Sequence, residues 1–273
     1  MNYAVARAAE LLAGRRAVVL TGAGISTDSG IPDYRGGGSP RRSPMTYAEF
    51  CSRDRSRARY WARSQAGWPR IADATPNIGH HAVAAMERSG TVTGVITQNV
   101  DGLHGKAGTC TVIELHGHLA RVACLGCGSR FDREWHQQRL AELNAWFDPT
   151  PLQLAPDGDV DLDSVQGYRV PVCLRCFGVL KPDVVFFGEA VPRDRVNRSF
   201  EMVDAADVLL VAGSSLTVLS GYRFARHAHV RRIPIVIVNR GHTRADPLAT
   251  LKLDAGCSEV LSILAGELAA PVL

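Results

Sequence analysis

Short runs of apolar, mostly β-branched residues recur along the chain and predict strands. They lie at Ala17 to Leu20, Val92 to Thr97, Val112 to Leu115, Asp183 to Phe187, Val208 to Ala212 and Ile233 to Asn239. Most of these runs are apolar at every position, which is typical of parallel strands buried on both faces. The pattern therefore predicts a buried, mainly parallel sheet.

Helical patterns lie between several of these runs. The clearest are Ala82 to Arg88, Phe200 to Ala205 and Arg223 to His229. Alternation of strands and helices is typical of a doubly wound α/β domain. We therefore predict an α/β protein with a Rossmann-like parallel sheet, and a smaller lobe built from the stretches that interrupt the alternation.

Two such stretches divide the chain. Residues 37–86 are polar and Arg-rich with Trp61 and Trp68, and residues 119–179 hold all the paired cysteines. We predict that 1–36, 87–118 and 180–273 form the sheet domain. The segment 37–86 is predicted to be a helical module with a loop, and 119–179 a zinc-binding module with an insertion.

Four of the seven cysteines form two Cys-x-x-Cys pairs, Cys124/Cys127 and Cys173/Cys176. Each pair presents two sulfurs from one turn, so together they predict one structural Zn²⁺ held by four thiolates. The gap between the pairs exceeds the roughly 15–20 residues of a compact zinc ribbon, which indicates an insertion. A disulfide or a redox motif is the alternative, but neither explains two matched pairs.

Composition and charge narrow the class of protein. The chain has 273 residues, is 46% hydrophobic and carries a net charge of +4. No apolar run reaches the roughly 18 residues of a membrane span, and the strand predicted from Ala17 leaves no room for a targeting segment. Arg41, Arg42 and the arginines from Arg53 to Arg59 lack interleaved aromatic residues. We expect a cytoplasmic monomer without membrane contact and without a specific nucleic-acid partner.

Glycine and hydroxyl residues follow three of the predicted strands. They are Thr21 to Thr27 with Gly22 and Gly24, then Gly213-Ser214-Ser215, then Asn239-Arg240-Gly241. Glycines after a strand let the backbone approach a pyrophosphate, although Thr27 replaces the usual third glycine and an ordinary tight turn remains an alternative. Three such turns together predict a nucleotide crevice at the carboxyl edge of the sheet.

Polar groups suited to chemistry end two further strands. Gln98, Asn99 and Asp101 follow one of them, with His104 close behind, and His116 follows the other. Amide and carboxylate groups suit a carboxamide-bearing ligand, and an imidazole suits proton transfer. A structural role remains the alternative for each histidine taken alone.

The chain resembles the sirtuin family from end to end. Matching motifs in order are GAGIS at 22–26, IPDYR at 31–35, TQNVD at 97–101, LHG at 115–117, the cysteine pairs, KPDVVFFGE at 181–189, GSSL at 213–216, Asn239 and Cys257. YWAR at 60–63, APDGD at 155–159 and SGYRF at 220–224 look like the class II branch, which also fits the long insertion in the zinc module.

The resemblance implies that NAD is a consumed cosubstrate and assigns residues to it. Gly22, Ala23, Gly24 and Ser26 would line the phosphates, helped by Ser214 and Ser215. Asn239 would hold the adenine ribose, and the backbone of Cys257 would contact the adenine. Further cofactor-binding residues would be Ile25, Gly213, Arg240 and Gly241. Asp33, Tyr34 and Arg35 would lie on a mobile cofactor-binding loop, where Tyr34 replaces the usual Phe. Gln98, Asn99, Val100 and Asp101 would bind the nicotinamide ribose, with Asn99, Asp101 and the general base His116 as the catalytic residues.

It also implies the substrate and the reaction. Acyl-lysine proteins or peptides would pair with the backbone of Phe187, Gly188 and Glu189. Tyr60 and Arg63 resemble a reader of acidic acyl groups, with a plain helix-surface pair as the alternative.

The expected activity is NAD-dependent protein lysine deacylation, releasing nicotinamide, O-acyl-ADP-ribose and free lysine. The alternatives are mono-ADP-ribosyl transfer, lipoamidase-type removal of lipoyl groups, or a non-enzymatic NAD-binding regulatory module. The presence of Asn99, Asp101 and His116 together argues against the regulatory module, because binding alone needs no base.

Overall fold

The computed structural model describes residues 2–33, 44–148 and 165–269. The strands are β1 Ala17–Thr21, β2 Val92–Thr97, β3 Val112–Glu114, β4 Gly117–Cys124, β5 Arg130–Asp132, β6 Leu180–Val184, β7 Val208–Ala212, β8 Ile235–Val238 and β9 Leu251–Leu253. The helices are α1 Asn2–Leu12, α2 Tyr47–Ser52, α3 Asp54–Asp73, α4 Ile78–Arg88, α5 Leu103–Lys106, α6 Arg133–Leu143, α7 Arg193–Asp204, α8 Leu219–Val230 and α9 Cys257–Ala269.

Six strands form one parallel sheet in the order β3-β2-β1-β7-β8-β9. The chain builds outward from β1 in one direction, then returns to β7 and builds in the other. This reversal opens a crevice between the carboxyl ends of β1 and β7. The large sheet therefore has its topological switch point where the two glycine turns lie.

Helices cover both faces of this sheet because the strands are apolar on both sides. Ala17 and Val19 face a core shared with α1, α4 and α9. Val18 and Leu20 face the opposite core, shared with α7 and α8. The helix α4 therefore packs on the large sheet, although it begins within the 37–86 segment.

A smaller lobe stands beside the sheet. Its three strands pair antiparallel in the order β5-β4-β6, and α2, α3 and α6 pack on them. The core of this lobe contains the buried rings of Phe50, Tyr60 and Trp61, and the indole nitrogen of Trp61 donates to the carbonyl oxygen of Leu180, 3.2 Å away. Helices α2 and α3 from the first interrupting stretch therefore pack with the strands and helix of the second, whereas α4 does not.

The strand predicted at Asp183 to Phe187 is wrongly placed. β6 ends at Val184 and pairs with β4 in the small lobe, with Pro182 on this edge strand. The apolar run continues beyond the end of β6 at Val184, and Phe186 packs into the core of the small lobe. Lys181 takes a buried strand position because its ammonium group lies 3.1 Å from the carboxylate of Glu189, a contact that no local pattern indicates.

The predicted bounds of the other strands lie within two residues of the observed bounds, and those of β2 and β7 match at both ends. The three predicted helices are the C-terminal parts of α4, α7 and α8. No helix in the described part of the chain is both long enough and apolar enough to cross a membrane.

Candidate active-site cleft

A cleft of about 1500 Å³ lies between the carboxyl edge of the large sheet and the small lobe. Most of the residues predicted for the site line it: Gly22, Ala23, Gly24, Ser26, Asp33, Tyr60, Gln98, Asn99, Val100, Asp101, His116, Phe187, Gly188, Glu189, Gly213, Ser214, Ser215, Asn239, Arg240, Gly241 and Cys257. Residues more than 200 positions apart in the sequence therefore meet at one sheet edge.

The glycines of the first two turns let these turns pack on each other. A Cβ on Gly24 would lie 2.9 Å from the backbone of Gly213. Gly213 has φ +65°, and a Cβ there would lie 2.3 Å from the nitrogen of Ile25. The N–H groups of Gly22 and Gly24 donate to the carbonyl oxygens of Ala212 and Gly213. The glycines thus allow the close approach of β1 and β7 that shapes the floor of the cleft.

A buried polar network ties the first turn to the end of β2. The hydroxyl of Ser26 donates to the Asp101 carboxylate at 2.8 Å, and the amide of Asn99 donates to the same hydroxyl oxygen at 3.0 Å. Asn99 also donates to the carbonyl oxygen of Gly22 at 3.2 Å. Because all three side chains are buried and bonded to one another, their orientations are fixed before any ligand binds.

Two buried histidines support this network from behind. Nε2 of His104 lies 3.0 Å from the hydroxyl of Thr21, and Nε2 of His80 lies 3.4 Å from that of Ser26. Burial lowers the pKa of His80 to about 4 and that of His104 to about 3, so both rings are neutral at pH 7. His80 was not predicted for the site, and His104 has a structural position under the cleft.

His116 lines the cleft, and each of its ring nitrogens has a polar neighbour. Its Nδ1 lies 2.9 Å from the carbonyl oxygen of Gln98, and its Nε2 lies 2.8 Å from the hydroxyl of Ser220. Burial lowers its pKa to about 4; the Gln98 carbonyl opposes this shift, and the charges of Arg195 and Arg223 add to it. The imidazole is therefore neutral at pH 7 and available to accept a proton.

The side chain of Gln98 holds the two central turns together. Its amide donates to the hydroxyl of Ser214 at 2.8 Å and to the carbonyl oxygen of Thr21 at 3.2 Å. Its backbone carbonyl meanwhile accepts the bond from His116. Gln98 therefore links the predicted base to the predicted phosphate turns.

The third turn closes the far end of the cleft. The amide of Asn239 donates to the carbonyl oxygen of Arg240 at 2.7 Å, and a Cβ on Gly256 would lie 2.8 Å from the guanidinium of Arg240. Nearby, burial would raise the pKa of Asp246, but hydrogen bonds from Lys252 and Thr243 lower it to about 2. Lys252 also donates to the carbonyl oxygen of Gly241 at 2.8 Å, which ties the turn to Asp246.

The segment predicted to meet the peptide forms the opposite wall. The carbonyl oxygen of Phe187 already accepts a bond from the N–H of Tyr47 at 2.9 Å. The carboxylate of Glu189 accepts from the ammonium of Lys181 and from the N–H of Phe186. Glu189 therefore holds this segment in shape.

Tyr60 and Arg63 differ in position although they share one helix. Tyr60 is buried, packs against Phe50, Trp61 and Phe186, and lines the cleft. Arg63 is half-buried and is not among the described residues of the lining. The acidic-acyl reader therefore stays a prediction.

Three predicted cofactor-binding residues remain to be placed. Ile25 is buried in the core under the large sheet, so its side chain anchors the turn and does not face the cleft. Tyr34 and Arg35 lie outside the described residues, as does the 155–159 segment.

The four paired cysteines come together in the small lobe, and their sulfurs all lie within 4.8 Å of one another. The sulfurs of Cys124 and Cys176 are 3.5 Å apart and those of Cys127 and Cys173 are 3.7 Å apart. A tetrahedral Zn²⁺ with Zn–S bonds of about 2.3 Å places sulfurs roughly 3.7 Å apart, so the donor set fits the metal. Four sulfurs would fill every coordination position of a tetrahedral ion, so none would remain for a substrate.

Sequence reasoning gave no role to several residues that line the cleft. Ser220 and Arg223 come from α8, and Arg193 and Asn197 come from α7. The only signal was that Ser220 and Arg223 belong to the SGYRF segment. Their places in the lining depend on how the two helices pack.

The comparisons with known proteins agree with this geometry. A model of the Sir2 family matches residues 22–220. NAD-dependent protein deacetylase 1 of Mycobacterium avium is 56% identical over 263 residues, which cover 94% of this chain and 93% of the relative. NAD-dependent protein deacylase Sirt4 of Drosophila melanogaster is 47% identical and covers 92% of this chain and 83% of its own. A solved Sir2 structure with a p53 peptide and NAD⁺ has a TM-score of 0.78 at 30% identity, covering 96% of this chain and 97% of its own.

Proposed function

Because this chain belongs to the Sir2 family, we propose that its cleft removes acyl groups from lysine side chains of proteins and consumes NAD as it does so. The chain is an NAD-dependent protein deacylase. The observation that carries the proposal for the site is His116, a neutral imidazole that lines the cleft and is oriented by the carbonyl of Gln98.

NAD supplies the ADP-ribose to which the acyl group is transferred, and nicotinamide is released. The network of Ser26, Asn99 and Asp101 binds the nicotinamide ribose and carboxamide. Its support is that these side chains are already fixed to one another, which lowers the cost of ordering them around a ligand. A polar, preorganised floor also suits the positive charge that develops as nicotinamide leaves.

His116 acts as the general base on a ribose hydroxyl. The carbonyl of Gln98 can only accept a hydrogen bond, so Nδ1 carries the ring's proton and Nε2 holds the lone pair. The lone pair faces the cleft, where it takes the hydroxyl proton during acyl transfer. The lowered pKa keeps the ring in this form throughout the neutral range.

The acyl-lysine enters along the wall formed by Phe187, Gly188 and Glu189. Recognition through the backbone gives affinity that depends little on the peptide sequence. Tyr60 and Phe186 make the inner wall apolar, which favours uncharged acyl groups. We retain a carboxyl-bearing acyl group read by Arg63, and membership of the class II branch, as hypotheses for the assay.

The four cysteines hold a structural Zn²⁺ that stabilises the small lobe. N–H groups of Gly126 and Arg175 donate to the sulfurs of Cys124 and Cys173 at 3.3 and 3.4 Å, as expected for thiolates that need partners. The metal shapes the lobe and takes no part in the chemistry. We also propose that the protein acts as a monomer in the cytoplasm, without nucleic acid.

The decisive experiment measures NAD-dependent nicotinamide release over lysine peptides carrying acetyl, succinyl, glutaryl, myristoyl and lipoyl groups. His116→Tyr should abolish release, while His229→Tyr, an exposed histidine on α8, should leave it unchanged. Mass spectrometry should find O-acyl-ADP-ribose as the product. Label transferred from NAD to protein would favour mono-ADP-ribosyl transfer, preference for lipoyl would favour a lipoamidase, and binding without turnover would favour a regulatory module.

A further inference from the structure

One contact of the predicted base comes from a residue without an assigned role. The hydroxyl oxygen of Ser220 lies 2.8 Å from Nε2 of His116. Nδ1 carries the proton of the neutral ring, because its partner is the carbonyl oxygen of Gln98. Nε2 therefore has only a lone pair, and the Ser220 hydroxyl must be the donor. Both ring nitrogens are thus bonded in the free protein.

The fold brings Ser220 to this position through an unusually close helix approach. Ser220 is the second residue of α8, and Gly221 follows it. A Cβ on Gly221 would lie 2.3 Å from the amide oxygen of Gln98, so only glycine lets α8 come this near. Gln98 cannot easily move aside, since its amide is bonded to Ser214 and Thr21. The same glutamine thus supports the base on one side and the helix that carries Ser220 on the other.

We propose that Ser220 is a positioning residue for His116. The Ser220 hydroxyl keeps the Nε2 lone pair directed toward the cleft. When NAD binds, the ribose hydroxyl that His116 deprotonates replaces the Ser220 hydroxyl at Nε2. This inference rests on the proposed deacylase function. Without Ser220 the ring keeps one bond, to Gln98, and gains freedom to rotate about it. The lone pair then points correctly for a smaller fraction of the time.

The hydroxyl suits both protonation states of the ring. It donates to neutral Nε2, and after turning it accepts from Nε2–H once His116 has taken the proton. The charges that act on the ring are those of Arg195 on α7 and Arg223 on α8, and both oppose the protonated form. An uncharged partner that accepts a hydrogen bond from Nε2–H therefore stabilises the protonated ring after the transfer.

The test compares Ser220→Ala, Ser220→Thr and His116→Ala with the natural protein. Ser89→Ala, which removes an exposed hydroxyl at the end of α4, controls for general effects of the change. We expect Ser220→Ala to lower kcat about three- to tenfold, the loss of one hydrogen bond, with the KM for NAD and for the peptide unchanged. Ser220→Thr should restore kcat, and Ser89→Ala should have no effect.

A spectroscopic readout measures the contact without turnover. In ¹⁵N-histidine-labelled free protein, the Nε2 resonance of His116 should move downfield in Ser220→Ala and return in Ser220→Thr, because a lone pair that loses its donor is deshielded. If Ser220→Ala does not fold, Ser220→Cys, whose thiol is a weak donor, replaces it and is judged by the same criteria.

Each outcome either supports or overturns the role proposed for Ser220. Unchanged kcat in Ser220→Ala overturns the inference, even if the resonance moves. Equal losses in Ser220→Ala and Ser220→Thr overturn it as well, because they would report displacement of α8. In both cases an inactive His116→Ala leaves the deacylase mechanism intact. Full activity of His116→Ala would instead refute the proposed base.

Discussion

Replacing Gly213 with alanine should destabilise the protein far more than the same change at Gly14. The two glycines have nearly the same left-handed backbone, with φ +65° and +67°. Gly14 is exposed and a Cβ there meets nothing within 4 Å, whereas a Cβ on Gly213 would lie 2.3 Å from the nitrogen of Ile25. The pair therefore separates backbone strain from close packing.

The magnitudes follow from this difference. Alanine in the left-handed region costs about 1–2 kcal/mol, which is the whole expectation for Gly14→Ala. At Gly213 the overlap is with backbone, so the turns after β1 and β7 must move apart. That movement weakens the hydrogen bonds from Gly22 to Ala212 and from Gly24 to Gly213, each contributing roughly 1 kcal/mol. We expect Gly213→Ala to cost about 3–5 kcal/mol, a large part of a typical domain's stability.

Urea denaturation followed by far-ultraviolet circular dichroism measures both variants at 25 °C. Gly213→Ala should lower the free energy of unfolding by about 2 kcal/mol more than Gly14→Ala does. Isothermal titration calorimetry should also show weaker NAD binding in Gly213→Ala only. Equal losses of stability in the two variants would refute the argument that Gly213 is required for the packing of the two turns.

Four further outcomes are expected. Cys173→Ser should lose the one zinc per chain measured by atomic absorption and lower the melting temperature of the lobe, while Cys110→Ser, an exposed cysteine outside the cluster, should keep both. The kcat/KM profile should stay flat from pH 8 to about 5 and fall only near pH 4, because His116 is neutral above its lowered pKa; an acid limb centred at 6.5 would contradict the burial of this ring. The pKa of Asp246 is lowered from 3.8 to about 2, so its carboxylate stabilises the fold above about pH 4 and this contribution disappears as the pH falls through 2. Asp246→Asn should therefore cost about 1–2 kcal/mol in urea unfolding at pH 7 and only a small fraction of that near pH 2. Gly221→Ala should reduce kcat at least as much as removal of the Ser220 hydroxyl, and unchanged turnover would show that α8 does not depend on this close approach.

The sequence predicted most of the large sheet because its strands satisfy a local rule. A strand buried on both faces has to be apolar at every position, and Val208 to Ala212 could be read on that basis alone. The same rule failed at Asp183 to Phe187, where an equally apolar run leaves the strand and fills the small lobe. Local hydrophobicity indicates that such residues are buried, but it does not indicate which core receives them.

The residues that come together in the cleft and in the cysteine cluster could also be predicted in large part from the sequence. Two Cys-x-x-Cys pairs predict a tetrahedral thiolate site whatever the fold between them, and the fold brings their sulfurs within 4.8 Å of one another. Asn99, Asp101 and the glycine turns follow strands, and parallel strands bring their carboxyl ends to one edge. The resemblance to a known family added the identity of the ligand and the role of His116.

Contacts between distant segments were decided only by the tertiary structure. His80 and His104 support the floor of the cleft because α4 and α5 pack behind it, and Ile25 turns into the core although its neighbours line the cleft. The bond from Ser220 to His116 joins residues 104 positions apart and depends on a glycine whose missing Cβ lets one helix approach one glutamine. A sequence specifies such a contact through the sum of its packing interactions, so no short stretch of it reveals the pair.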